Sequence, residues 1–160
     1  MGRRPPTFRL KRRYLLARIN PPWREFEAKE LYSAVMEAAT SLWGDRITAC
    51  MQPSVVTVAR GYAILRCTRG EDERLATAIA TVVGANRHPV SLRTVARSGT
   101  ILSLKRRMAR MPLKGERLAI ERGGRAMEAV RYAGQKIDLI EEGIKNQELL
   151  FFTDNELEER

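Results

Sequence analysis

Val55-Val56-Thr57-Val58-Ala59-Arg60-Gly61-Tyr62-Ala63-Ile64-Leu65-Arg66-Cys67-Thr68 sets two β-rich runs on either side of an Arg-Gly pair. Such runs divided by a glycine-containing turn predict a β-hairpin. The first run extends back to Ile47 and is interrupted by Pro53, which cannot donate to a ladder and so predicts an edge or a bulge in that strand. Upstream, Leu31, Val35, Ala38, Ala39 and Leu42 recur at helical spacing over Phe26 to Trp43, with Glu25 and Glu27 at the electropositive end and Gly44 as the stop. Before that helix, Tyr14-Leu15-Leu16-Ala17-Arg18-Ile19 predicts a first strand, ended by Asn20-Pro21-Pro22. Downstream, Glu71-Asp72-Glu73 open a second helix with Leu75, Ile79, Val82 and Val83 as its apolar positions and Gly84 as its end. Val90 to Val95 then alternates with period two and supplies a fourth strand. The order is βαββαβ. It predicts an α+β fold: a ferredoxin-like or RRM-like antiparallel four-stranded sheet with helices packed on it.

Beyond the fourth strand, Ser98 is placed to cap a third helix running through Met111. Ile101, Leu104, Met108 and Met111 form its apolar stripe, and Ser103, Arg106 and Arg110 lie opposite. Pro112 ends it, and Lys114-Gly115 and Gly123-Gly124 mark a hinge. From Arg125 to Asn146 the positions Met127, Val130, Ala133, Ile137, Ile140 and Ile144 predict a further amphipathic helix, a C-terminal helical extension. The apolar cluster Leu149-Leu150-Phe151-Phe152 and an acidic tail follow. The expected organisation is thus a basic arm over residues 1–13, a ferredoxin-like core over 14–111, and a hinge, amphipathic helix and acidic tail over 112–160.

Charge narrows function further. The 160 residues carry a formal +10, yet residues 137–160 hold eight acids and two bases, so residues 1–136 carry +16. Residues 1–13 contain Arg3, Arg4, Arg9, Lys11, Arg12 and Arg13 and no acid; from Arg74 to Gly115 there are nine bases and again no acid. Of the 29 bases 23 are arginine, whose planar fork engages phosphate in a bidentate manner, so a nucleic-acid partner is favoured over a merely solubilising surface or a lipid patch. A single histidine, His88, and two cysteines, Cys50 and Cys67, offer neither a metal cluster nor a His-paired nucleophile, and no Walker-type glycine loop occurs. No catalytic residue, metal site or protein-bound cofactor is expected. The cysteines are expected as reduced thiols in packed strands. With no apolar run long enough to cross a bilayer and no secretory signal, the sequence predicts a cytoplasmic protein without a membrane partner.

Arg60-Gly61-Tyr62-Ala63 fits the opening of the third strand of an RNA-recognition motif, but Ile64 and Cys67 stand where its later aromatics belong. Only 6% of residues are aromatic, so contact through phosphates and RNA shape is expected in place of base stacking on the sheet.

Several segments carry a family resemblance. Pro5-Pro6-Thr7-Phe8-Arg9 with Lys11-Arg12-Arg13-Tyr14, the strand Gly61 through Ile64-Leu65-Arg66-Cys67, and above all Val90 to Val95 followed by Ser98-Gly99-Thr100-Ile101 and Leu104-Lys105-Arg106-Arg107 resemble the archaeal ribonuclease P component 2 family, relatives of the eukaryotic Pop-five subunit. The likeness covers residues 5–111 and leaves the chain after Met111 unmatched; Gln52-Pro53 departs from the family pattern. The resemblance implies a noncatalytic, RNA-binding subunit of the ribonucleoprotein that removes the 5′ leader from precursor tRNA. Its implied partners are the ribonuclease P RNA, with magnesium bound to that RNA, and ribonuclease P component 3 in a two-plus-two assembly, precursor tRNA being met indirectly. The RNA-contacting character falls on Arg9, Lys11, Arg12, Arg13, Arg93, Arg97, Lys105, Arg106, Arg107 and Arg110. Two other classes remain open on the residues alone: a general RNA-binding or ribosome-associated module, and a protein-interaction adaptor docking through the C-terminal segment.

Overall fold

The computed structural model describes residues 10–21, 24–111, 117–132, 136–141 and 150–153. The chain divides into two compact units, Met1–Met111 and Pro112–Arg160.

In the first unit the order is β1 (Arg12–Asn20), α1 (Ala28–Met51), β2 (Ser54–Ala59), β3 (Tyr62–Thr68), α2 (Asp72–Ala80), β4 (Gly84–Ala85), β5 (His88–Pro89), β6 (Ser91–Ser98) and α3 (Ile101–Arg110). The four long strands form one antiparallel sheet in the order β2-β3-β1-β6. With β4 and β5 set aside as a small separate hairpin, this is the expected βαββαβ arrangement. The β2–β3 turn is the two-residue pair Arg60-Gly61, both at positive φ (58° and 77°), the backbone twist that a tight hairpin needs.

Alternation along β1 divides the core in two. Leu15, Ala17 and Ile19 face α1 and α2 and pack with Leu31, Val35, Leu65, Leu75 and Ile79. Leu16 faces the other way and packs with Tyr62, Ile64, Leu104 and Met108, so α3 docks on the second face. Tyr62 is only 5% exposed. The residue at the aromatic position of the RNA-recognition pattern therefore fills the interior under α3.

Several local expectations change. The α1 helix does not stop at Gly44: that residue kinks it (φ 72°, ψ 169°), and Asp45–Met51 continue as helix to a left-handed Gln52 cap. Cys50 consequently lies exposed on a helix, while Cys67 is buried in β3 as expected. Pro53 precedes β2 instead of interrupting it. The strand is nevertheless an edge and carries a bulge, between Val55 and Thr57. The α3 cap is Thr100, whose backbone N–H donates to the Ser98 hydroxyl at 3.1 Å, so Ser98 supports the turn before the helix.

The second unit corrects the sequence reading outright. In place of an amphipathic helix it holds β7 (Arg117–Arg122), β8 (Arg125–Tyr132), β9 (Lys136–Glu141) and β10 (Leu150–Thr153), an antiparallel meander in the order β10-β9-β8-β7. Gly123-Gly124, expected as a hinge, is a two-residue hairpin turn with both φ positive (60° and 74°) and Arg122 paired to Arg125. Ile137 and Leu139 alternate inward on β9 and pack with Ala129, a period of two where the helical stripe assumed 3.6. Phe151 and Phe152 lie in β10, paired with Asp138 and Ile137. Lys114-Gly115 and the tail from Asp154 lie outside the described residues.

Candidate nucleic-acid interface

All eight acids of residues 1–111 are Glu25, Glu27, Glu30, Glu37, Asp45, Glu71, Asp72 and Glu73. They lie on α1, on α2 and on the residues just before each helix. Neither α3 nor any strand of the four-stranded sheet contains an acid. Because α1 and α2 cover one face and α3 the other, the topology sorts charge by side.

On α3, Leu104 and Met108 are buried and Lys105, Arg106, Arg107 and Arg110 are exposed. At 100° per residue, Lys105 and Arg107 flank the buried stripe on opposite sides, and Arg106 and Arg110 project from the outer arc. Arg107 and Arg110 also occupy the last turn, where cations suit the helix C-terminus. The helix is held at both ends. It follows β6 directly, whose Ser98 pairs with Tyr14, and at its far end the Arg60 guanidinium donates to the Met111 carbonyl at 3.1 Å. It thus runs diagonally from the Ser98 end of the sheet to the β2–β3 turn and leaves two corners of that face uncovered.

Strand register places the remaining candidates. Arg93 is exposed and pairs with Arg18, in phase with Leu16 and therefore on the α3 face, at one open corner. Arg12 has the same phase at the opposite end of β1, where its Nη1 donates to Gln52 Oε1 at 2.8 Å. Lys11 is exposed just before β1. Arg13 and Arg97 point the other way. Arg13 lies against Gly99, where a Cβ would sit 3.5 Å from its Nη1. Arg97 pairs with Leu15 in register and is bound by α2: its guanidinium bonds both carboxylate oxygens of Glu73, Nη2 to Oε2 at 3.2 Å, and lies 3.6 Å from Asp72. That hydrogen-bonded pairing holds the Glu73 carboxyl below its ordinary range and raises the guanidinium. Arg97 thus stands apart from the α3 cations, as an anchor for the α2 N-terminus. Arg9 lies outside the described residues.

Arg66 escaped the sequence reading. It follows Tyr62 and Ile64 at even spacing on β3 and so shares the α3 face, at the same open corner as Arg12. The even spacing from Tyr62 through Ile64 is the signal in the sequence that marks it. Burial in the sheet raises the Cys67 thiol to about 12, with Asp72 and Glu71 adding to the effect, which leaves it protonated and chemically quiet. Among the described residues no cluster of His, Cys, Asp and Glu could hold a metal ion, and no helix is long and apolar enough to cross a membrane.

The Rpp14/Pop5 family model matches residues 13–109, from the first strand to the penultimate residue of α3. This chain belongs to the Rpp14/Pop5 family. Two curated relatives align along their whole length and that of this chain. They are "Ribonuclease P protein component 2" of Methanoculleus marisnigri, 47% identical over 161 residues, and the protein of the same name in Methanosphaerula palustris, 44% identical over 160. The resemblance noted in the sequence is thereby confirmed, and it extends past Met111: the meander unit, which the family model does not reach, lies within both full-length alignments. A solved structure of yeast ribonuclease MRP contains a similar chain at 14% identity and a TM-score of 0.48, covering 62% of this chain and 89% of that one.

Proposed function

We propose that this protein, a ribonuclease P protein subunit, binds the catalytic RNA of ribonuclease P through the α3 face and holds it folded, and itself contributes no catalytic group to removal of the 5′ leader from precursor tRNA. One observation carries the reading: on the α3 side neither the helix nor the sheet brings a carboxylate, while Arg12, Arg66, Arg93, Lys105, Arg106, Arg107 and Arg110 all belong to that side. Packed RNA repels itself. A rigid cationic surface neutralises phosphates, releases their counterions and favours the compact, active fold. In this scheme magnesium is held by the RNA, and the chain acts by positioning that RNA and its metal sites. The pairing with ribonuclease P component 3 in a two-plus-two assembly belongs to the same proposal.

Reconstituted cleavage of precursor tRNA tests it, using ribonuclease P RNA and component 3 with and without this chain. The chain is expected to lower the magnesium concentration needed for half-maximal cleavage and to lose that effect when Arg106, Arg107 and Arg110 are replaced by glutamate. An unchanged magnesium requirement would refute the stabilising role. Equal affinity for unrelated structured RNAs, with no stimulation of cleavage, would instead identify a general RNA-binding module.

A further inference from the structure

Beside the N-terminal end of β1, both segments of α1, its Gln52 cap and the start of β2 line an open recess of about 420 Å³. Its walls include Arg12, Arg66, Thr48, Gln52, Ser54 and Tyr32, and among the described residues no carboxylate lines it. Two of these side chains are unsatisfied among the described residues: Arg66 Nε and Thr48 Oγ1 are both enclosed and neither has a hydrogen-bond partner. Enclosed donors of this kind are costly unless an acceptor reaches them, the more so on a charged group. Arg12 is already oriented, since Gln52 Oε1 accepts from its Nη1 at 2.8 Å and Gln52 is itself fixed as the α1 cap, its N–H donating to the Thr48 carbonyl at 3.0 Å. The recess thus joins two guanidiniums, a hydroxyl lacking a partner and a second hydroxyl, on Ser54, with no anion from the described residues lining it. A tetrahedral oxyanion supplies the missing acceptors, and a guanidinium fork suits it better than a lone ammonium does.

We propose that this recess is a phosphate-binding site that takes one backbone phosphate of an RNA strand, with Arg66 as its principal ligand and Arg12 as its second. It rests on the RNA-binding reading for the source of the phosphate and extends the contact surface from α3 to the β1–β3 corner. Tyr32, 41% exposed on the wall, offers a face on which the adjoining base stacks, so an unpaired strand suits the recess better than a duplex.

Two measurements on the full chain test the site. In the first, inorganic phosphate is titrated while the Arg66 Nε–Hε resonance is followed by NMR. A saturable shift is expected, and its absence overturns the site whatever RNA does. A shift produced by an acidic peptide and not by phosphate also overturns it, because the occupant is then a protein carboxylate. The second measurement compares Arg66→Gln and Arg66→Lys with the Arg106, Arg107 and Arg110 triple variant in salt-dependent binding to ribonuclease P RNA. Arg66→Gln should make the log–log salt slope shallower by about 0.7 to 0.9, the value of one phosphate. Arg66→Lys should keep the slope and still bind more weakly, since charge survives and the fork does not. If the triple variant loses slope and Arg66→Gln does not, the recess proposal fails while the α3 reading stands. If neither changes, the RNA-binding reading itself fails.

Discussion

Neutralising the outer arc of α3 isolates the electrostatic contribution from the fold. Arg106, Arg107 and Arg110 fall within about 100° of one another on the helix and are all exposed, and the residues that dock it, Leu104 and Met108, lie outside that arc. Replacing the three arginines by glutamine removes three positive charges and leaves the buried stripe intact. It also removes the like-charge pairs Arg106/Arg110 and Arg107/Arg110, a gain of about 0.2–0.5 kcal/mol each. Against this stands the loss of two cations from the last turn, at about 0.3–1 kcal/mol each. The two sums, about 0.4–1.0 against about 0.6–2.0 kcal/mol, partly offset, so the melting temperature should fall only modestly. RNA binding should move a great deal. If each arginine neutralises one phosphate, the slope of log K against log salt becomes shallower by about 2 to 3, at roughly 0.7 for each phosphate on single strands and 0.9 on duplexes. Between 50 and 200 mM salt that difference amounts to roughly 20- to 40-fold in how steeply affinity falls. Filter binding of ribonuclease P RNA at four salt concentrations, with a thermal melt of each variant, reads both quantities. A variant with an unchanged slope and an unchanged melt would remove α3 from the interface. A slope change accompanied by a collapsed melt would trace the effect to misfolding.

Leu104→Ala should cost about 2–5 kcal/mol in urea denaturation, because Leu104 is 1% exposed and fills the space between α3 and Leu16, Tyr62 and Ile64; a loss below about 1 kcal/mol would mean that α3 is not firmly docked. Arg97→Gln should return the Glu73 carboxyl toward its ordinary value of 4.5. Since the pairing depresses that group in the folded state, its stabilisation is present above pH 4.5 and lost as pH falls through the depressed value; NMR titration of Glu73 in the two proteins checks the sign. The same variant should leave the RNA salt slope as it was, because Arg97 is committed to α2, and a slope change equal to that of an α3 arginine would contradict this assignment. Alkylation at pH 8 should label Cys50 within minutes and leave Cys67 untouched until the chain is unfolded, the one thiol being exposed and the other buried and raised to about 12; equal labelling of both would refute the buried placement.

Apart from the α1–β2 boundary, the four-stranded core was legible because its helical and strand periods are distinct. Leu31, Val35 and Ala39 recur at helical spacing and are all buried, and the Arg60-Gly61 turn forms where two β-branched runs meet. The C-terminal unit was misread because Met127, Val130, Ile137 and Ile140 satisfy a helical stripe when the glycines between them are tolerated. Gly123-Gly124 between Arg117–Arg122 and Arg125–Tyr132 was the stronger signal, a two-residue hairpin turn between two strands that pair directly across it. Gly44 misled in the opposite direction: a glycine at positive φ can kink a helix that resumes when the next turns still bury residues, as Thr48 and Met51 do. The candidate site was legible as a set of charges and illegible as a surface. Composition alone cannot distinguish Arg93 from Arg97, four residues apart on one strand, and the β-bulge around Val95 changes the phase between them so that they face opposite sides.

If the proposed RNA-binding reading holds, the docking of α3 explains how a sheet of this topology would meet RNA without reading bases on its strands. Where a four-stranded sheet stacks bases, its face must be open and aromatic. Here the equivalent face is apolar at its centre, with Leu16, Ile64 and the buried Tyr62, and α3 closes it. The cations are thereby moved from the sheet to a helix lying across it, and to the two corners that the helix leaves open. Contacts to phosphate carry no sequence information, so discrimination has to come from the spacing of the cations against the spacing of phosphates on a folded RNA. Such discrimination requires the cations to be held rigidly. The packing of Leu104 and Met108, the short Ser98-Gly99-Thr100 entry from β6 and the Arg60 bond to the Met111 carbonyl supply that rigidity. On that reading the apolar core beneath α3 sets the spacing of the cations, and loosening it should blunt selectivity among RNAs before it abolishes affinity, because every cation would survive and only their spacing would blur.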